Sequence, residues 1–305
     1  MPEVEGSGSG VVRKKWRIQE VMVVPAQWQG SVEHFYHFFL GYFMPLVVWQ
    51  QRTGTTAFSV RDCGPMNPWF SLLRPDTELT YMPPGVMLQR VLTRRQTMQV
   101  LHGWDDPTRF HRRALDEFVS AVVPRVGESP ADHDTSQRRI TVLHRAPSPD
   151  FYLSAASETY SSGAAWRSLP NTEDIATQLE RLGTVQLLDT AALSPAQQVS
   201  ALAATDILVA QHGAGLANMV WMRRGSAVLE IKPPLPPTIN EIFQNLAAAR
   251  GLDHLASQQQ DEHSSVDVSA IVEQVQRLID QRGAFIPRMP GKAPVRLLRR
   301  LPRRL

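Results

Sequence analysis

The chain has 305 residues, of which 43% are hydrophobic and 20% charged, a composition typical of soluble globular proteins and long enough for two domains. The net charge of +3 is too small for a dedicated nucleic-acid-binding protein, so no nucleic-acid partner is expected. The single cysteine, Cys63, excludes an intrachain disulfide, a C-x-x-C redox centre and a zinc site built from cysteines.

Alternating apolar and polar segments in the first half predict two strands and two helices. The strands are expected from residue 21 and over 55–61, and the helices over 33–50 and 107–123. Residues 1–10 read as a flexible leader, and the polar segment 127–138, which contains Gly and Pro, reads as a linker.

The second half predicts a regular alternation of strands and helices. Strands are expected at 139–144, 185–188, 206–210 and 227–231, and helices after Asn171, after Ser194, over 212–222 and over 268–279. Asn171 and Ser194 are good N-cap residues, and Pro195 suits the first helical position. Strands that alternate with helices predict an α/β fold with a parallel, doubly wound sheet.

The most informative segment is the glycine loop, residues 212–218, which directly follows the apolar run 206–210. Its glycines let the backbone approach a ligand closely, and the free N–H groups of a following helix attract an anion. In open α/β sheets such loops lie at the carboxyl ends of strands, where ligands bind. The loop therefore predicts a phosphate-bearing ligand; the alternative is that the glycines only permit tight packing of strand against helix.

Two ligands fit the loop equally well by spacing. Gly213-x-Gly215-x-x-Asn218 followed by Glu230 imitates a dinucleotide site, although Asn218 replaces the third glycine and the acid follows Gly215 by only 15 residues. In a sugar-nucleotide site, the loop would instead hold the diphosphate and Glu230 would accept hydrogen bonds from ribose hydroxyls. The spacing leaves both alternatives open.

A family resemblance separates the two ligands. His212-Gly-Ala-Gly-Leu-Ala-Asn218, followed by Met222-x-x-Gly225-Ser-Ala-Val-Leu-Glu230-Ile, resembles the hallmark of glycosyltransferase family 61. In the same order along the chain, this pattern also fits Arg145, the segment from Arg167 to Glu173, and Gln198 with Asp206. Nearer the N-terminus, His37 with Pro45-Leu eight residues later resembles a helix of that family.

The resemblance implies the GT-B architecture, in which two Rossmann-like domains face a cleft. We expect an acceptor-side domain at 11–126, a nucleotide-sugar-binding domain at 139–265, a closing helix at 266–283 and a basic tail at 284–305. It also implies an inverting transfer from a nucleotide-diphosphate sugar, with a UDP-linked sugar expected, to a hydroxyl of a glycan, a lipid-linked glycan or a protein. Neither a cofactor nor a catalytic metal is expected.

The resemblance also assigns donor-binding and catalytic residues. Arg145 and Arg167 would neutralise the departing diphosphate, because arginine donates two hydrogen bonds to phosphate oxygens. The other donor-binding residues expected are His212, Gly213, Ala214, Gly215, Leu216, Asn218 and Glu230. His37 is the expected general base, with His34, Glu33 and Asp62 as alternatives, since Gly41 stands where many relatives carry an acid four residues after this histidine.

Some alternatives and peripheral features remain. The alternatives to a glycosyltransferase are an NAD(P)-dependent Rossmann oxidoreductase and a catalytically silent nucleotide-sugar-binding protein.

Asp132-His-Asp134 has the form of a D-x-D metal motif but lies in the linker, so no metal is expected there. The N-terminus lacks a signal-peptide pattern, which predicts a cytoplasmic location. The tail predicts peripheral contact with an anionic membrane face, because its last fourteen residues include Lys292, Arg296, Arg299, Arg300, Arg303 and Arg304.

Overall fold

The computed structural model describes residues 20–23, 31–83, 86–87, 89, 98–101, 106, 109–126, 138–154, 157 and 163–281. The leader, nearly all of the linker with Asp132 and Asp134, and the basic tail lie outside these residues. Described strands are β1 (Glu20–Val23), β2 (Ala57–Val60), β3 (Glu78–Tyr81), β4 (Met98–Leu101), β5 (Arg139–His144), β6 (Thr184–Asp189), β7 (Ile207–Gln211), β8 (Ala227–Lys232) and β9 (Asp253–Gln258).

The helices differ in type as well as in length. The α-helices are α1 (Phe35–Phe38), α2 (Met44–Thr53), α3 (Arg112–Val122), α4 (Asp150–Leu153), α5 (Gly163–Trp166), α6 (Thr172–Leu179), α7 (Pro195–Ala203), α8 (Pro237–Asn240), α9 (Ile242–Arg250) and α10 (Val268–Asp280). A π-helical segment, Phe39–Phe43, joins α1 to α2, and 3-10 helices span Gly64–Leu72, Val123–Val126, Glu180–Leu182, Thr190–Ala192 and Ala214–Trp221. None of the helices in this described part is long and apolar enough to cross a membrane.

Two parallel sheets organise the chain. The first has the strand order β3-β2-β1-β4 and the second has β6-β5-β7-β8-β9, and every pairing is parallel. In the second sheet, β5 lies between β6 and β7, so the chain winds outward from β5 first in one direction and then in the other. That reversal leaves a crevice at the carboxyl ends of β5 and β7, the place where open α/β sheets bind ligands.

The second sheet is covered on both faces. Ile207, Val209 and Leu229 lie on one face and pack with α6 and α10. Leu208 and Val228 lie on the other face because side chains alternate along a strand. Burial of both faces explains why β7 is apolar along nearly its whole length.

One apolar core joins the second sheet to the first half of the chain. Trp221, at the end of the 3-10 helix after the glycine loop, packs with ring centroids 5.3 Å from Phe39 and 4.9 Å from Phe118. Its indole also stacks on Trp69 at 6.4 Å. The glycine loop and the helix that carries His37 are therefore held against each other by fully buried aromatic rings.

A buried arginine reinforces this contact. The Arg250 guanidinium donates to the Val220 and Met222 carbonyl oxygens, at 2.9 and 3.3 Å, at the end of the loop helix. Its Nη1 atom lies 2.5 Å from Oδ1 of Asp116 on α3. One side chain thus ties the carbonyl end of the loop helix to the first half of the chain.

The predicted α/β class and the strands expected in both halves are confirmed. The capping box of α7 at Ser194 is present in full, whereas Asn171 precedes α6 without capping it, because its side chain bonds the backbone of Val266 instead. The helix expected over 33–50 is interrupted by the π-helical segment, in which Gly41 is buried. Strands β3, β4 and β9 and helices α4, α5, α8 and α9 were not predicted.

We expect Phe118→Ala to lower the free energy of unfolding by about 3–5 kcal/mol, because it leaves a large void in the shared core. Arg113→Ala, on the exposed side of the same helix, is the matched control and should cost less than about 0.5 kcal/mol. Urea unfolding followed by tryptophan fluorescence and circular dichroism measures both. Because one core is shared by both halves of the chain, fluorescence and circular dichroism should show the same transition. Separate transitions for the two signals would contradict a shared core.

Candidate active site

A cavity of about 1620 Å³ lies at the carboxyl ends of β5 and β7. One side is formed by the segment His34 to His37 and by the start of the 3-10 helix Gly64–Leu72. The opposite side is formed by Arg145, Arg167 and the glycine loop. Pockets for one small ligand usually measure about 300–1,000 Å³, so this cavity has room for two substrates at once.

The glycine loop makes a close contact that requires one of its glycines. A Cβ atom at Gly213 would lie 1.8 Å from Nη2 of Arg145, so any side chain there would displace the guanidinium. A Cβ atom at Gly215 would meet only a methyl group of Leu143, at an ordinary 3.6 Å. Gly213 is therefore explained by the protein alone, whereas Gly215 is not.

Arg145 and Arg167 place positive charge beside this loop. Burial, followed by the charge of Arg167, lowers the pKa of Arg145 to about 10, so the group remains cationic at neutral pH. Within the described residues, its one hydrogen bond goes from Nη2 to the His212 carbonyl oxygen at 3.4 Å. Within the described ranges, no carboxylate lies within ion-pair distance of either guanidinium, and the charge of Glu262 acts on Arg167 only from a greater distance, so this partly buried pair of cations has no direct counter-charge.

Further polar atoms of the cavity also lack protein partners. In the described part of the chain, His34 Nδ1, Arg167 Nε and Gln211 Oε1 are shielded from solvent and make no hydrogen bond. All three residues line the cavity. Because buried polar groups are normally hydrogen-bonded, their convergence indicates a site that a polar ligand completes.

Glu230 lies behind the cavity rather than in its lining. Its fully buried carboxylate is 2.5 Å from Nδ1 of His212 and 2.8 Å from Nε2 of His254, with Nζ of Lys232 at 3.7 Å. The expected contact between Glu230 and a ribose is therefore wrong, because the His212 ring and the protein interior enclose the carboxylate. The same geometry removes the acid on which the dinucleotide interpretation depended.

The charge state of this cluster follows from its contacts. Burial alone would raise the pKa of Glu230, but hydrogen bonds from His212 and His254 and the charge of Lys232 bring it below the usual value. Burial lowers the pKa of His212 despite the neighbouring carboxylate. An ionised carboxylate only accepts hydrogen bonds, so Nδ1 of His212 must carry the proton and Nε2 of the neutral ring remains an acceptor.

The histidines of the first half form the opposite wall of the cavity. His37 and His34 both line it, with ring centroids 5.4 Å apart. The His37 ring also meets Tyr36 edge-on at 5.3 Å. The structure thus brings His37 and the glycine loop to one cavity, as the sequence predicted.

Glu33 and Asp62 do not line the cavity, contrary to what a general base requires. The Glu33 carboxylate is buried and accepts a hydrogen bond from Ser157 at 3.3 Å. The exposed Asp62 accepts from the side chain of Asn67 and the backbone of Gly64, and these bonds, in that order, lower its pKa. Asp62 therefore caps the turn before the 3-10 helix Gly64–Leu72.

Asn218 lines the cavity but is held by protein partners. Its amide donates to Gln198 at 3.3 Å, and its oxygen accepts from the Trp221 indole at 3.2 Å. Gln198 in turn donates to the carbonyl oxygens of Thr190 and Leu193. Asn218 thus fixes the segment after β6 that forms a further part of the cavity wall.

Three residues of this site were missed in the sequence. Lys232 could have been found, because residues two apart in a strand share a face with Glu230. His254 and Gln211 gave no such signal, since His254 lies on the unpredicted β9 and Gln211 ends a strand among apolar residues. In the described residues, no group of three or more His, Cys, Asp or Glu side chains has an arrangement that could hold a metal ion.

Comparison with known proteins identifies the family of this chain. The family model described as Glycosyltransferase 61 matches residues 35–229, more than half of the chain, including His37, both cavity arginines and the whole glycine loop. A search of curated proteins finds no match. The chain therefore belongs to glycosyltransferase family 61.

Proposed function

We propose that this glycosyltransferase moves a sugar with inversion from a nucleotide-diphosphate sugar, most simply a UDP-sugar, to an acceptor hydroxyl. The observation that carries the proposal is the pair of cations, Arg145 and Arg167, that line the cavity beside the glycine loop and have no described carboxylate at ion-pair distance. A diphosphate supplies the missing negative charge, and arginine binds phosphate oxygens in a bidentate manner.

The donor would lie across the crevice of the second sheet. Its diphosphate would contact Arg145, Arg167 and the backbone N–H groups of Ala214 and Gly215, since the first N–H groups of a helix favour an anion. The N–H of Leu216 already donates to the Gly213 carbonyl oxygen at 2.9 Å. Gly215 then has a reason, since its missing side chain lets phosphate oxygens reach the backbone. We propose the GT-B arrangement of two Rossmann-like units because each half of the chain has its own parallel sheet and both halves contribute residues to one cavity.

The transfer step is a displacement at the anomeric carbon. His37 accepts the proton of the acceptor hydroxyl while the acceptor oxygen forms its bond to that carbon. The bond between the anomeric carbon and the phosphate oxygen breaks, and its electron pair remains on the departing diphosphate. The two arginines stabilise this growing charge more strongly in the transition state than in the ground state, which is the condition for catalysis.

The acceptor would occupy the remaining part of the cavity, beside His37. Phe35, Met66 and Trp69 give this side an apolar and aromatic wall, which suits the carbon face of a sugar ring in a glycan or lipid-linked glycan, or an apolar side chain of a protein acceptor. Cytoplasmic location and membrane contact through the tail remain predictions, since the tail lies outside the described residues.

UDP should raise the melting temperature, because a ligand of the folded state stabilises it by mass action. We expect the shift with UDP to persist in the presence of EDTA, and we expect no shift with NAD or NADP. A comparison of UDP with GDP tests whether the site prefers uridine or guanosine. Thermal unfolding of the full chain, with each compound in the presence and absence of chelator, measures this. A shift with NAD or NADP alone would overturn the proposal.

Gly215→Ala should weaken UDP binding at least tenfold, or about 1.4 kcal/mol, while the melting temperature of the free protein is unchanged or slightly higher. The added methyl group fits against Leu143 but blocks the approach of a phosphate to the backbone. Titration calorimetry with UDP measures the loss. Gly213→Ala is the matched comparison, since it should also displace Arg145. If Gly215→Ala binds UDP as tightly as the wild-type chain, the diphosphate must bind elsewhere.

His37→Ala should lower the transfer rate by about 10²–10⁴-fold, the usual contribution of a general base, and leave the Kd for UDP within about twofold of wild type. His111→Ala, at an exposed histidine outside the cavity lining, serves as the control and should change neither the transfer rate nor the Kd for UDP. Release of UDP in the presence of acceptor gives the rate. A wild-type chain that binds UDP but transfers to no acceptor would favour a silent binding protein.

Glu230→Gln should change how stability depends on pH. The lowered pKa of Glu230 means that the carboxylate stabilises the fold above its unfolded pKa of about 4.5, and that this contribution disappears as the pH falls through the folded value. We expect the variant to lose about 1–3 kcal/mol at pH 7, since a buried histidine loses a charged partner, and to show a flatter acid limb. Urea unfolding from pH 7 to about pH 2.5, a range that extends well below the unfolded pKa, measures both effects; curves that stay parallel over the whole range would contradict an ionised Glu230.

A further inference from the structure

His34 holds a position in the cavity that the transfer step above leaves without a role. Its ring lies beside that of His37, with centroids 5.4 Å apart, and the positive charge of Arg145 acts on it. The backbone is fixed, because its N–H donates to the Ser31 carbonyl oxygen and its own carbonyl accepts from Phe38, both at 3.0 Å. The residue is thus held in place next to the proposed base and within the electrostatic range of an arginine of the proposed diphosphate site.

The imidazole of His34 is built to receive a partner. Its Nδ1 atom is shielded from solvent and has no hydrogen-bond partner in the described ranges, although the residue lines the cavity. Burial, then the charges of His37 and Arg145, lowers the pKa of His34 to about 4, so the ring is neutral at pH 7. A neutral ring offers Nδ1 as either a donor or an acceptor, and a hydroxyl group satisfies both cases.

The geometry of a displacement reaction identifies the hydroxyl group that would bond to Nδ1 of His34. The anomeric carbon must lie between the phosphate oxygen that leaves and the acceptor oxygen that attacks. The transferred sugar therefore lies between Arg145 and His37. We infer that Nδ1 of His34 forms a hydrogen bond with a hydroxyl of the transferred sugar and so contributes to recognition of the donor, an inference that rests on the proposed function.

The experiment compares UDP with UDP-sugars by titration calorimetry on the full chain. UDP-glucose, UDP-galactose, UDP-N-acetylglucosamine and UDP-xylose serve as probes, and the one that gains most affinity over UDP is carried forward. His34→Leu should reduce that gain about tenfold while the Kd for UDP stays within about twofold of wild type. His111→Leu controls for the loss of a histidine outside the cavity.

Two conservative variants make the test specific to one atom. Asparagine places a polar atom near the position of Nδ1, and glutamine places one near Nε2. His34→Asn should therefore recover part of the gain, whereas His34→Gln should resemble His34→Leu. If His34→Leu fails to fold, the contrast between Asn and Gln carries the test by itself.

The possible outcomes distinguish a failure of this inference from a failure of the proposed function on which it rests. If the wild-type chain binds neither UDP nor any of the UDP-sugars, the proposed function fails and this inference fails with it. If UDP-sugars bind more tightly than UDP and His34→Leu keeps the whole gain, the function stands and the role of His34 is overturned. Equal affinity of the wild-type chain for UDP and every UDP-sugar also counts against His34.

Discussion

The contact between Arg145 and Gly213 is the constraint on which the site depends. Arg145 follows β5 and Gly213 follows β7, and these strands are neighbours at the reversal of the second sheet. A guanidinium can lie against the backbone there only because Gly213 has no side chain. The result is a cation held at the mouth of a crevice, next to Arg167, with hydrogen-bonding capacity left over for an anion.

The aromatic core makes the two walls of the cavity one unit. Trp221 belongs to the loop helix, Phe39 to the helical segment after His37, and their rings are in contact. Arg250 adds a polar connection from the same loop helix to Asp116. The distance between the proposed proton acceptor on one wall and the proposed phosphate-binding groups on the other is therefore set by close packing, which tolerates little displacement. Such fixed placement is what the proposed displacement reaction needs.

Much of this arrangement could be predicted from the sequence, and the remainder was hidden for physical reasons. Strands β5 and β7 and helix α7 were predictable because apolar runs and caps are local signals. Strand β9 was not, because its sequence, DHLASQ, is largely polar and is only partly buried. The π-helical segment was equally hidden, since an apolar run that is buried on all sides carries no periodicity that distinguishes one helix type from another.

The roles of single residues were harder to predict than the elements that carry them. His37, both arginines and the glycine loop reach the cavity because each follows or begins an element whose position the topology fixes. Asp62 also follows a strand, yet a turn consumes its hydrogen-bonding capacity, which the spacing of residues cannot reveal.

Burial of Glu230 explains how an acid can lie next to a loop that is proposed to bind phosphate. A carboxylate in the cavity would repel a diphosphate, and an isolated buried carboxylate would be costly. Two histidines and Lys232 stabilise Glu230 in the interior, and a neutral His212 separates it from the cavity. The one acid among the lining residues of the described cavity, Asp189, accepts the backbone N–H of Ala191 instead. The cavity consequently keeps a positive charge at one wall, while the carboxylate behind the loop fixes the orientation of a histidine that belongs to it.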